Sequence, residues 1–518
     1  MSGMDLQGIT AIVDAWLARF ADAAVSGNVK AAIALFLSKG WLRDILVFTW
    51  THRSLCGHDA IFNYLDNRLG KAGIRNMKLD KDHGILPNFD LNQQIIEAAF
   101  TFDTPVAYGR GLIRLRQDKD GEWKAYTAFL TLDDFKGHEE KGFDSGYYDG
   151  HTRTWNEVHE EERARIEKDP YVIISKYLSW CLIYTKLTLP LLVGAGQSGL
   201  NVGARFRQMN IPTLLIDKED AVGNVWRKRY PSLTLHTPNT HHACEWTCTV
   251  TENINSRIVI TVLYTRFPTS APKFTPRDKV ASMLEHYAYY QDLIIWNRST
   301  MLPTPSYDPS TKRWTVNILR DGVKVTLHPY HVILAIGTLG NPYVPCLPGK
   351  KDFKGVTLHA TNFKGGSAFS GKKTIVVGAS QTAADICQDL AARGAASITM
   401  VQRSSIVVTS AEYAVAFMET IWPMHSDPAV GDFRSAGMPL GLLKQIQIEQ
   451  KEQRIAHHKD MIDGLLKAGM NIDEGPEGAG QVIRVFERLG GRSYPFHLTV
   501  TNNKLSIGYC TIPVIAKE

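Results

Sequence analysis

Two glycine turns, each set between an apolar run and a helix-like run, constrain this chain more than any other feature. The first lies in LPLLVGAGQSGLNVGARFRQMNIPTLLIDKE. Leu191 to Val193 form a short apolar strand, Gly194, Gly196 and Gly199 follow as GxGxxG, a helical run begins at Ser198, and Thr213 to Ile216 form a second strand ending in Asp217. This order suits a dinucleotide. Glycines permit the tight turn and the close approach of a pyrophosphate, the helix start offers N–H groups, and the acid accepts from ribose hydroxyls. The second turn lies in KTIVVGASQTAADICQDLAARGAASITMVQRSS. Strand Thr374 to Val377 leads to Gly378, Ser380 and Ala383, a softened form of the same spacing whose residues stay small enough for close helix packing. Its second strand ends at Arg403, where an NAD site would place an acid; the arginine suits a 2'-phosphate, and a solvated surface charge is the other reading.

The rest of the composition narrows the class. A chain of 518 residues supports two to four domains, and 44% hydrophobic with 21% charged residues is ordinary for a soluble globular protein. A net charge of +6 without a basic block gives no footing for nucleic acid and suits an anionic cofactor. Seven scattered cysteines show no disulfide framework, so a reducing, cytoplasmic setting is expected. The start, MSGMDLQGITAIVDAW, lacks the basic and apolar regions of a signal peptide. Lys186 closes the apolar run Tyr177 to Thr185 short of a bilayer crossing, so no transmembrane segment is expected.

Residues 1–135 read as a separate α+β domain. DAWLARFADAAVSGNVKAAIALF is amphipathic at helical period, with Trp16, Phe20, Ala24, Ala31, Ala34 and Phe36 near one stripe. Strands are expected at ILVFTW, in QIIEAAFTFDTPVAYGRGLIRLRQD and in WKAYTAFLTLDDF. This order is similar to the cone-shaped SnoaL-like and NTF2-like domains. His52, His58 and Asp103 are candidates for a polar pocket, although scattered surface or core roles are the better reading. Residues 136–170 form a charged linker with a short helix. Beyond 170, strands alternate with helices, the signal of a parallel sheet.

After the first glycine turn the chain continues VGNVWRKRYPSLTLHTP, Val222 to Pro238, with Gly223, Trp226 and Arg227 in a Gly-x-x-Trp-Arg element. Phe353, Gly355, His359 and Phe363 fit F-x-G-x-x-x-H-x-x-x-[FY]. With these elements the sequence resembles the flavin-containing monooxygenases, particularly the YUCCA-type and fungal members. The resemblance implies FAD at the first glycine motif and NADPH at the second, with His359 coupling the nucleotide domain to the flavin site. Phe363 is followed by Lys364 rather than the Trp-Pro of Baeyer–Villiger relatives, which favours N- or C-hydroxylation. It further implies that NADPH reduces FAD and that a flavin C4a-(hydro)peroxide oxygenates a small organic substrate with O2. The cofactor carries that chemistry, so no catalytic side chain is nominated. A homodimer is compatible with the resemblance.

The expected fold class is α/β: two Rossmann-like domains, an FAD-binding one over 171–345 and an NADPH-binding one over 346–470, preceded by the SnoaL/NTF2-like domain. Three departures stand out. Residues from Ser175 to about Leu192 and from 247 to 264 have no place in the family pattern and read as inserted sequence, since DPYVII runs straight into VGAGQSG without the first. His241, His242, Cys244 and Cys248 beside the second insert fit no zinc spacing, so no metal is expected. Residues 471–518 read as an incomplete return to the FAD domain. Two alternatives stay open: an NADPH–flavin reductase or oxidase, against which the lack of a Cys-x-x-Cys pair counts, and a catalytically silent homologue acting through association.

Overall fold

The computed structural model describes residues 5–140, 145–175, 194–239, 243–244, 262–265, 267–268, 270–335, 337, 344–423, 426–487, 493–496 and 505–509. These residues gather into two compact units: the described parts of Met1–Glu140, Cys244–Ser256 and Phe417–Lys451, and those of Lys141–Ala243, Arg257–Ala416 and Glu452–Glu518.

The first unit opens with helix α1, Leu6–Ser26, capped by Asp5, whose side chain accepts from Gly8 N–H at 2.8 Å. Its buried face carries Ile9, Val13, Trp16, Leu17, Phe20, Ala23 and Ala24. Gly27, at φ +67°, ends it in the left-handed conformation, and a separate helix α2, Val29–Ala34, follows. This break corrects the single stripe expected from the sequence. Once the phase is reset, Ala32 and Ile33 turn inward while Ala31 and Ala34 are exposed.

Strands β1 (Phe36–Ile45) and β2 (His52–Cys56), helix α3 (His58–Leu65), and strands β3 (Arg75–Leu79), β4 (Asn88–Asp90), β5 (Ile95–Asp103), β6 (Ala107–Gln117) and β7 (Trp123–Phe135) complete the element order. The sheet runs β2-β1-β7-β6-β5-β3, with β4 also on β5. Of the stretch ILVFTW only Ile45 belongs to a strand, as the last residue of β1, and residues 46–50 bend away. Leu46 sits at φ +68° and the Asp44 carboxylate accepts from Val47 and Phe48 N–H, which bends the chain before a ladder can form.

One face of this sheet packs on α1, α2 and α3 through Leu42, Ala98, Phe100, Ile113 and Leu130. The opposite face presents Ala99, Leu112 and Phe129, which bury against Phe433 and Ala436 of helix Pro428–Ala436. Polar side chains surround that contact. Arg434 bonds Glu97 at 2.8 Å, Arg43 donates to the Ala436 carbonyl, and Trp422 Nε1 donates to Asp432 at 2.8 Å. The segment Phe417–Lys451, expected within a nucleotide domain, thus supplies the second layer of the N-terminal sheet.

The second unit begins with helix Trp155–Lys168, which has a Thr154/Glu157 capping box. Its first sheet is parallel, in the order Ile294–Trp296, Thr213–Ile216, Val172–Ser175, His331–Leu334. By chain position that order is 3-2-1-4, the arrangement of dinucleotide-binding sheets. Helices Gln197–Gln208 and Arg277–Tyr290 contribute to the core on one face through Leu200, Ala204, Val280 and Leu284. On the other face, Met301, Val316 and Ile318 of a small antiparallel sheet pack with Ile173, Leu214 and Trp296. The second sheet is also parallel: Lys373–Val377, Ser397–Gln402 and Leu505–Tyr509. A two-stranded parallel pair, Val407–Ser410 with Ser493–Phe496, falls between the last two of these strands in the chain. The described strand Leu505–Tyr509 therefore extends the second sheet, where the sequence reading returned this part of the chain to the first.

The strand ahead of the first glycine turn is Val172–Ser175. Leu191 to Val193, expected to form it, lie outside the described residues, as does nearly all of the first insert. Ladder bonds locate the junction. Val172 N–H donates to Pro212 O and Gly194 N–H donates to Ile216 O. Parallel strands alternate bonding residues, so Gly194 takes the step that the second residue after Ile174 would occupy. Most of the second insert, with His241, His242 and Cys248, is likewise outside the described residues.

Candidate functional site

The first glycine turn is built by close approach. Gly194 stands where a Cβ would come within 2.5 Å of the Ala335 carbonyl, and a Cβ on Gly199 would run into the Gly194 carbonyl oxygen. Gly196 differs: a Cβ there would meet no described residue within 4 Å. The first and third glycines therefore pack strand, turn and helix, while the second leaves backbone open at the start of helix Gln197–Gln208. That helix start has no side-chain cap, so its N–H groups and positive dipole end are suited to an anion.

Asp217 follows strand Thr213–Ile216 and folds back on the same turn. Its Oδ2 accepts from Ala195 N–H at 2.6 Å and its Oδ1 from Glu219 N–H at 2.8 Å. Burial pushes its pKa up to about 6, despite these two backbone donors. Gly194, Gly196, Gly199 and Asp217 are thus brought together as the spacing requires.

Gly223, at φ +82°, starts the short helix Asn224–Arg227 and lies against Ala281, whose carbonyl a Cβ would approach to 2.5 Å. Arg227 donates to Val222 O and to Glu285 Oε2 at 2.5 Å, tying this helix to Arg277–Tyr290. Trp226 packs against the hydrophobic cores of both nucleotide halves, and its buried Nε1 has no hydrogen-bond partner among the described residues. An open glycine backbone, an uncapped helix start and an orphan indole N–H fit a dinucleotide whose phosphates and ring edges need donors.

Sequence reasoning missed the residues that join the two halves. Tyr230 donates to Asp385 Oδ2 at 2.5 Å, and His236 Nε2 lies 3.6 Å from the same oxygen. Asp385 sits on helix Gln381–Ala392, directly after the second glycine turn. Burial and the Asp385 charge push the Tyr230 hydroxyl well above its ordinary pKa. The stretch RYPSLTLHTP carries this tyrosine and histidine, but its other polar residues, Arg229, Ser232, Thr234 and Thr237, leave no pattern that singles them out.

At the second turn Gly378 has φ +127° and donates to Val401 O at 2.9 Å. Ser380 is the N-cap of helix Gln381–Ala392, and Ala383 is buried beneath it. Arg403 is exposed just past strand Ser397–Gln402. His359 stands apart within its own loop. It caps the turn Ala360–Asn362, with Nδ1 2.9 Å from the Thr361 hydroxyl. Phe353 is exposed and Phe363 buried.

In the first unit the candidate polar residues have separate partners: His58 Nε2 bonds Phe36 O at 3.0 Å, and Asp103 accepts from Asn76 at 2.7 Å. The most deeply buried acid among the described residues there is Asp44, which accepts from the Tyr64 hydroxyl at 2.6 Å. Burial raises its pKa to about 6.

Residues 191–422 match the family model described as pyridine nucleotide-disulphide oxidoreductase. The probable indole-3-pyruvate monooxygenase YUCCA4 of Arabidopsis thaliana is 29% identical over 226 residues, 43% of this chain and 49% of its own length. The indole-3-pyruvate monooxygenase YUCCA1 of Oryza sativa subsp. japonica is 28% identical, again over 43% and 49%. The chain thus spans about half the length of these curated relatives. Among solved structures, a flavin-containing monooxygenase from Stenotrophomonas maltophilia aligns at TM-score 0.36 and 20% identity, covering 52% of this chain and 68% of that one. No helix among the described residues is long and apolar enough to cross a membrane. Over the matched part, the resemblance is to flavin-dependent monooxygenases, oxidoreductases that use FAD and NADPH.

Proposed function

We propose that this chain is an FAD- and NADPH-dependent monooxygenase acting on a small organic substrate with O2. The observation that carries the reading is the contrast among the three glycines of the first turn, two closed by packing and Gly196 left open beside an uncapped helix. In this reading Gly194, Gly196 and Gly199 hold the FAD pyrophosphate, Asp217 its ribose, and Gly223, Trp226 and Arg227 flank the flavin end. Gly378 and Ser380 cradle NADPH, and Arg403 pairs with its 2'-phosphate. When bound, the flavin takes hydride from NADPH and activates O2. The chain's own part is to fix one nucleotide half against the other, for which Trp226 and the Tyr230–Asp385 bond are placed, and to keep water from the reacting ring. The first unit is read as a SnoaL/NTF2-like module, on the strength of its helix–strand order and sheet path.

Absorbance spectroscopy of the purified chain with added FAD and NADPH tests the proposal. A retained flavin spectrum, bleached by NADPH without oxygen and restored on aeration, is expected. A colourless protein that takes up no FAD overturns it.

A further inference from the structure

The loop that carries Arg403 is held by a segment far along the chain. Gln402, 1% exposed, donates from Nε2 to Asn471 O at 2.7 Å and to Ser404 O at 3.0 Å, and accepts at Oε1 from Asn471 N–H at 2.9 Å. On the other side of the loop, Ile406 N–H donates to Asn471 O and Ile406 O accepts from Asp473 N–H at 2.9 Å. Between these ties, Asp473 accepts from the Ser405 hydroxyl at 2.5 Å and from Gly475 N–H at 2.8 Å. Residues 403–405 are therefore anchored before, within and after the loop, all to Asn471–Gly475.

An acid beside a phosphate site would ordinarily repel the ligand. Here Arg484, whose side chain is 4% exposed, donates from Nη1 to Asp473 Oδ1 at 2.5 Å and balances the charge. The second guanidinium nitrogen reaches the Ser405 carbonyl at 3.4 Å. The carboxylate thus ties the loop down without adding net negative charge beside it. A guanidinium binds phosphate well only when its fork is presented in a fixed orientation, and a wandering loop loses affinity to the cost of ordering it.

We propose that Gln402 and Asp473 are positioning residues that set the Arg403–Ser405 loop for a 2'-phosphate, so that selectivity for NADPH over NADH depends on the Asn471–Gly475 platform. The inference rests on the reading of the second glycine turn as the NADPH site. Its test is calorimetric titration of the full chain with 2',5'-ADP and with 5'-AMP, for the unaltered protein and for Gln402→Met, Asp473→Asn, Arg403→Ala and the two double variants. Gln402→Met keeps the buried volume and Asp473→Asn keeps the shape, so either one alone suffices if the other fails to fold. Each is expected to weaken 2',5'-ADP by about tenfold while leaving 5'-AMP unchanged. In the Arg403→Ala background neither should weaken 2',5'-ADP further. Equal losses for both ligands, or undiminished losses without Arg403, mean a merely structural role and overturn the proposal. If the unaltered chain shows no preference for 2',5'-ADP, or Arg403→Ala keeps that preference, the NADPH reading itself fails.

Discussion

Arg110 holds its guanidinium 4.4 Å from the centre of the Phe433 ring while donating to Asp80 at 3.0 Å, so strand β6 and helix Pro428–Ala436 share a buried cation. Phe433 is 1% exposed and also meets Phe129, with ring centroids 5.4 Å apart. The aromatic ring is thus the centre of the layer that the later segment adds to the N-terminal sheet.

Phe433→Ala should therefore destabilise the first unit by about 3–5 kcal/mol, the usual loss for a fully buried phenylalanine. Urea unfolding followed by circular dichroism measures it. A loss below about 1 kcal/mol would show that the sheet face does not depend on this helix.

Gly196→Ala and Gly199→Ala should separate binding from packing. The added methyl at Gly199 collides with the Gly194 carbonyl, so the melting temperature and flavin content should fall together. At Gly196 the methyl enters open space, so the melting temperature should hold while FAD affinity drops roughly tenfold or more. Unchanged FAD affinity in Gly196→Ala would remove that turn as the pyrophosphate site.

Asp44 gives the first unit an acid-favoured contribution. Its folded pKa, about 6, lies above the ordinary 3.8, so the folded state binds the proton more tightly. Stability from this group is present below the unfolded value and declines as pH rises from about 4 to 6, by about 3 kcal/mol in all. In urea titrations, the stability of the unaltered protein relative to Asp44→Asn should fall over that window. A difference independent of pH contradicts the assignment.

Joining Ser175 directly to Gly194, by deleting residues 176–193, should leave flavin binding intact. The Gly194 N–H already occupies the next ladder step along Thr213–Ile216. Flavin absorbance and melting temperature of the deletion variant provide the check. Loss of both would mean that the deleted residues contribute to the fold.

What the sequence alone determined was local. The glycine spacings, the acid after the second strand and the alternation of strands with helices name dinucleotide turns because backbone sterics at Gly194 and Gly199 admit no side chain. The β5–β7 strands were legible because strand-like runs, buried over most of Ile95–Asp103 and Ala107–Gln117, are bounded by polar breaks such as QDKDGE. Long-range choices were not legible. That Val172–Ser175 fills the central strand position depends on pairing with two strands distant in sequence. That Phe417–Lys451 covers the N-terminal sheet depends on Phe129, Leu112 and Phe433 fitting one another, and an amphipathic helix does not specify its partner. The Tyr230–Asp385 bond and the ties from Gln402 to Asn471 are likewise tertiary, because a polar side chain's partner is set by whichever donor or acceptor folding buries beside it.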